Sequence, residues 1–224
     1  MRDDKKEYTT RLENVIKQML QPLKDIPFNL IIEKMTGKKV IFFDFNDDNQ
    51  IKLLELLKRV ALNAGDNINK IGIQRPRSNE IGNDIEPYVK NALNLLGLNA
   101  DTPAGPDGNK KATGYPDIIF WYNERPYYLE CKTYNIRNVN TPQRSFYFSP
   151  SDEFKVIYDA THFVLSFEMY VSGESDQKHI YKCKHYKILS IETLSTDVKH
   201  EFNSDNKRMY SGEKGTTILA EGSF

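Results

Sequence analysis

Two carboxylates and a lysine near the middle of this 224-residue sequence have the types and spacing for phosphate chemistry. Pro116-Asp117 is followed, thirteen residues after the aspartate, by Glu130-Cys131-Lys132. Each half adjoins a strand-forming run: Ile118, Ile119, Phe120 and Trp121 after the first, Tyr127, Tyr128 and Leu129 before the second. Paired as a hairpin, the start of one strand meets the end of the other, with the strands about 4.8 Å apart. Glu130 and Lys132, two residues apart, project from the same strand face. Two carboxylates this close repel, and a hard divalent cation relieves the repulsion by taking oxygens from both. Magnesium typically uses one or two carboxylates, keeps several waters and leaves room for phosphate oxygens. The Cys131 backbone carbonyl is a further available ligand. A neighbouring lysine can position an attacking water, stabilise charge on the phosphate or lower the pKa of the water. Asp117, Glu130 and Lys132 are therefore expected to converge at one sheet edge and to suit hydrolysis of a phosphodiester. The bland alternative is a hairpin with ordinary charged strand ends.

Such a site needs elements to hold it. Leu12, Val15, Ile16, Met19 and Leu20 form the stripe of an amphipathic helix, interrupted by Pro22 and Pro27. Phe28 to Met35 predicts a short second helix closed by Gly37, and Val40 to Phe45 a short strand. Ile51, Leu53, Leu54, Leu57 and Ala61 mark another helix ending near Gly65. Residues 78 to 97 read as helical, with Ile85, Val89, Ala92, Leu93 and Leu96 inward, although Pro87 moves the regular start to about Asp84. Residues 99 to 114 are a loop, and the strand runs Asp117 to Tyr122 and Pro126 to Thr133 form the hairpin. Ser149-Pro150 followed by Asp152 and Glu153 predicts a helix reaching about Ala160. Strands follow over Phe163 to Val171 and Ile180 to Ile191, then a loose polar tail after Asn203. The fold class is α/β, of mixed α+β type, with layered helices and strands.

Composition narrows the classes. Thirty-one Lys plus Arg balance 31 Asp plus Glu, so the whole chain does not announce a nucleic-acid binder. The charge is segregated, however. Residues 131 to 149 carry Lys132, Arg137 and Arg144 without an acid, and residues 178 to 190 carry four lysines without one. Such segregation can build a basic cleft or simply solvate a face. Apolar runs are far too short to span a bilayer, and the charged N-terminus leads into no apolar signal segment. Two cysteines, Cys131 and Cys183, fit a reduced, cytoplasmic protein better than a disulfide framework. Four histidines without paired spacing argue against structural zinc.

Pro116, Asp117, Glu130, Cys131 and Lys132, in their strand context, resemble the motif of the PD-(D/E)XK nuclease superfamily. The length and build look most like a type II restriction endonuclease. The resemblance covers roughly residues 78 to 170 and implies a restriction-endonuclease-like core, a central mixed β-sheet flanked by helices. It implies Mg2+-dependent cleavage of double-stranded DNA at a short, palindromic site, with one or two Mg2+ ions held by Asp117, Glu130 and the Cys131 carbonyl. In that superfamily the helix before the hairpin often contributes another acid. Gly82, Glu86, Val89 and Leu93 share one helical stripe, whereas Glu80 falls on a polar face, so Glu86 is the better candidate.

For DNA contacts, Lys110, Lys111 and Thr113 precede Asp117 and would orient the duplex through phosphates. Arg137, Asn138, Asn140, Gln143 and Arg144 are of types that read base edges, although Asx turns on a polar loop explain them equally. A palindromic site is most simply met by a homodimer. Residues 1–77 then form a helical region for dimerisation or DNA clamping, 78–203 the catalytic core and 204–224 the tail. A cognate methyltransferase is a possible partner. The alternatives are a structure-specific or repair nuclease with the same core, and a non-catalytic DNA-binding domain.

Overall fold

Apolar residues recurring every three or four positions in the helices, and every second position in the strands, sort this chain into faces that close on one another. The computed structural model describes residues 2–21, 23–111, 113–141, 146–148, 153–198 and 219–220. Along the chain run α1 (Arg2–Met19), β1 (Ile26–Pro27), α2 (Phe28–Thr36), α3 (Asp48–Ile71) and β2 (Ile73–Arg75). After a 3-10 turn at Ser78–Glu80 come α4 (Gly82–Leu95), β3 (Ile118–Tyr122), β4 (Arg125–Tyr134), β5 (Thr161–Ser175), β6 (Lys178–Ser190) and β7 (Ser195–Thr196).

The chain divides into two compact units, Met1–Ile26 with Thr196–Phe224, and Pro27–Ser195. In the first, the Asp25 N–H donates to the Asp197 carboxylate at 3.0 Å, and the Thr196 hydroxyl to the Ile26 carbonyl at 2.8 Å. The second holds a five-stranded sheet in the order β2-β6-β5-β4-β3. β4 and β5 are parallel and the other pairs antiparallel, so the sheet is mixed. β5 is buried without interruption from Thr161 to Met169, as expected of a central strand covered on both faces.

Alternation along β4 assigns those faces. Tyr127, Leu129 and Cys131 join Leu53, Leu57, Ile85 and Leu93 in the larger core under α3 and α4. Tyr128 joins Phe28, Ile32, Val156 and Val164 in a second core under α2. Glu130 and Lys132 lie two and four residues beyond Tyr128 and share its face.

Several sequence expectations change. Residues 40–45 form no strand: Val40 makes one isolated bridge to Ala160. The Phe43 and Asp44 N–H groups donate instead to the Glu192 and Gln50 side chains, leaving no ladder to extend. α3 continues past Gly65 to Ile71, since Gly65 faces Phe167 and Cys183 and gives the helix a close approach to the sheet. α4 begins at Gly82 and carries Pro87 in its second turn on an exposed face. Of the helix expected up to Ala160, residues 149–152 lie outside the described residues, and 153–160 are irregular. Two of their N–H groups, of Ile157 and Tyr158, donate to the Tyr128 hydroxyl at 2.9 and 3.2 Å rather than to a helical ladder. The tail after Asn203 lies outside the described residues apart from 219–220.

Candidate active site

The hairpin of β3 and β4 is closed by Asn123 and Glu124, both at positive φ (48° and 61°), the geometry of a tight two-residue turn. This fixes the register: Tyr122 faces Arg125, Phe120 faces Tyr127 and Ile118 faces Leu129. One step further, Asp117 faces Glu130. The partners of β4 end at Ile118, so Cys131 projects its N–H toward an unoccupied ladder position. The Asp117 carboxylate fills it, accepting the Cys131 N–H at 2.8 Å. In an extended strand the N–H and C=O of one residue point to the same edge, so the Cys131 carbonyl lies on the Asp117 side as well.

Glu130 is 4% exposed and its Oε1 accepts from the Lys132 ammonium at 2.6 Å. Its Oε2 is buried with no hydrogen-bond partner among the described residues. Burial and the Asp117 charge push the Glu130 carboxyl up to about 7. Burial also raises Asp117, against the opposing pull of the Cys131 N–H and the nearby lysines. Burial alone would lower Lys132, but Glu130 and Asp117 outweigh it, so this ammonium stays firmly protonated at neutral pH. α4 brings a third acid. Glu86 is half-buried, and desolvation followed by the Asp117 charge lifts it to about 7. Glu80 instead pairs with Arg77 at 3.0 Å in the turn before α4.

Behind Asp117 stands an aromatic wall. The Tyr115 hydroxyl lies 2.6 Å from Nδ1 of the fully buried His162, and the two rings stack. Phe28 meets Tyr115, Phe146, Phe148 and His162 edge-on. Phe146 and Phe148 are thus packed against the second core, whereas Tyr147 between them is exposed. Trp121 is only half-buried and meets Tyr158 edge-on at the sheet margin.

Sequence reasoning missed Lys155. It is 3% exposed, donates to the Lys111 carbonyl at 3.3 Å, and feels the charges of Asp117, Glu130 and Glu86. The helix expected over this stretch gave Lys155 no feature that set it apart from other lysines.

The remaining predicted residues, where described, have contacts of their own. Lys110 pairs with Asp101, and Lys111 with Glu153. Thr113 lines a cleft of about 280 Å³ shared with Lys111, Tyr115 and Lys155. Arg137, Asn138 and Asn140 are exposed on a loop where the Arg137 N–H donates to the Asn135 side chain at 2.9 Å, an Asx turn. Gln143 and Arg144 lie outside the described residues.

Among the described residues no three His, Cys, Asp or Glu side chains converge closely enough to hold an ion by themselves. The donor set nonetheless fits a hard divalent cation: adjacent carboxylates whose buried oxygen lacks a donor, flanked by a backbone carbonyl. Both cysteines are buried and free. No helix among the described residues is long and apolar enough to cross a membrane.

Comparison with known proteins places the chain in a family. Residues 22–213 match the model of the type II restriction enzyme MjaV family. The chain is also 36% identical over 223 residues to the type II restriction enzyme MjaV of Methanocaldococcus jannaschii, covering 92% of this chain and 94% of that protein. No solved structure matches it. A mixed sheet between helices, with this similarity along nearly its whole length, defines a site-specific deoxyribonuclease. The chain belongs to the type II restriction enzyme MjaV family.

Proposed function

We propose that this restriction enzyme is of the PD-(D/E)XK type and hydrolyses duplex DNA at the Asp117, Glu130 and Lys132 centre with Mg2+ as cofactor. The observation that carries the reading is the Asp117 carboxylate held on the Cys131 N–H at 2.8 Å beside Glu130, with one buried Glu130 oxygen lacking a donor among the described residues. Asp117, Glu130 and the Cys131 carbonyl would hold the cation, and Glu86 is the auxiliary acid.

A divalent cation bound there would offset phosphate charge and lower the pKa of a water. The protein groups do the rest. Lys132, protonated and fixed by Glu130, donates to the attacking water or to a phosphate oxygen and serves as a charge, not as a base. Asp117 is locked by the Cys131 N–H, so one carboxylate oxygen keeps its direction as substrate arrives. The aromatic wall behind it limits water on that side. In the reaction a water oxygen forms a bond to phosphorus and one ester P–O bond breaks, leaving an alcohol and a phosphate monoester.

Lys110, Lys111 and Thr113, on the loop entering Asp117, would contact backbone phosphates, while Arg137, Asn138, Asn140, Gln143 and Arg144 would read bases. A palindromic target is cut on both strands most simply by a homodimer, in which α1 presents Leu12, Val15 and Ile16, all exposed, to dimerise or to clamp DNA. A methyltransferase acting on the same site would protect the host, and the enzyme would work in the cytoplasm. Digestion of long unmethylated duplex DNA tests the reading. Discrete fragments that require Mg2+ and Lys132 support it; a smear moves the protein to a structure-specific or repair nuclease.

A further inference from the structure

A lysine is seldom almost wholly buried unless something balances its charge. Lys155 is 3% exposed, yet none of the carboxylates it faces forms a direct ion pair with it among the described residues; Glu130 gives its oxygen to Lys132 instead. The ammonium has three donors, and the Lys111 carbonyl takes one. Its position is built, not incidental. The Tyr128 hydroxyl, on the same β4 face as Glu130, accepts the Ile157 and Tyr158 N–H groups. Asp159 accepts the Lys39 N–H at 2.7 Å, and Ala160 bridges to Val40. These contacts pin an irregular segment to the β4 face that carries Glu130, and the charges of Asp117, Glu130 and Glu86 act on the Lys155 ammonium there. Lys155 also lines the cleft of about 280 Å³ beside Lys111, Thr113 and Tyr115, the segment that leads into Asp117.

We propose that Lys155 is a second substrate-binding lysine of the cleavage centre, its ammonium donating to a non-bridging oxygen of the scissile phosphodiester. This rests on the proposed assignment of Asp117, Glu130 and Lys132. Formal charge gives the reason for a second lysine. Three acids against Lys132 alone would leave a site that one divalent cation only neutralises. With Lys155 the cation-loaded site carries one positive charge, matched by one phosphodiester.

The test compares wild type with Lys155→Gln and Lys155→Arg. DNA affinity is measured across salt concentrations with calcium replacing magnesium, under conditions where no product forms. Lys155→Gln is expected to lower the slope of log affinity against log salt by about 0.9, the loss of one phosphate contact. Its cleavage rate with magnesium should fall at least about 100-fold, the lower end of the range for loss of one charge-stabilising donor, and Lys155→Arg should restore the slope. A merely structural lysine would lower the melting temperature without moving the slope. Lys155→Met, which suits a buried position, is read in the same way if the glutamine variant unfolds. An unchanged slope, or cleavage within a few-fold of wild type, overturns the proposal while the nuclease reading stands. Wild-type protein that never cleaves DNA with magnesium overturns the underlying reading instead.

Discussion

Glu130 holds its proton to about 7 because the fold buries it beside Asp117, and this has a stability signature. A carboxyl whose folded pKa exceeds its unfolded value favours the folded state fully below the unfolded pKa, near 4.5, and loses that contribution as pH rises through about 7. His162 runs the other way: desolvation depresses it to about 3, so its contribution is present above about 6.5 and is lost on acidification. Comparing wild type with Glu130→Gln cancels the histidine. In chelator, thermal or urea unfolding should show the wild type losing on the order of 2 kcal/mol relative to the variant between pH 5 and pH 8. A constant difference would contradict the burial of this carboxyl beside Asp117. Adding magnesium at pH 8 should raise the wild-type melting temperature and leave Asp117→Ala unmoved. At this scale the motif residues were legible because one hairpin and a two-residue period fix their relation. Glu86 was legible from its helical stripe. Lys155 was not, because its place depends on Tyr128 and Asp159 holding a segment with no period of its own.

Among elements, the turn at Asn123-Glu124 sets the register that brings Asp117 opposite Glu130. Glu124 sits at φ 61°, a conformation that costs a side-chain-bearing residue but not glycine. Glu124→Gly should therefore stabilise the protein by about 0.5–1 kcal/mol in urea unfolding, with cleavage unchanged. α3 offers the reverse case. A Cβ at Gly65 would meet Phe167 at 3.6 Å and Cys183 at 3.9 Å, ordinary contact, so Gly65→Ala should be tolerated and Gly65→Leu should destabilise by about 1–3 kcal/mol. The same close packing explains why a glycine that reads as a helix stop lies inside the helix. The expected strand at 40–45 failed for a different reason: propensity was present, but the segment's own N–H groups at Phe43 and Asp44 are bonded to side chains. The serine-proline-acid pattern before 153 likewise gave a helix start with no helical ladder to follow over the described residues.

For the whole molecule, the fold class and the restriction activity were readable because one motif in strand context carried both, and the family match over residues 22–213 agrees. Zero net charge masked the DNA partner, since 31 basic and 31 acidic side chains balance over the chain. Homodimerisation through α1 predicts a two-chain species in sedimentation, reduced to one chain by Leu12→Asp with Ile16→Asp; a wild-type monomer in the presence and absence of DNA would contradict it. The most direct test of the account is digestion of a long unmethylated duplex by wild type and Lys132→Ala, with magnesium or chelator. The account predicts discrete fragments with wild type and magnesium alone, with the Lys132→Ala rate lower by about 10³-fold or more. Intact DNA with wild type and magnesium, or equal cleavage by Lys132→Ala, would contradict it.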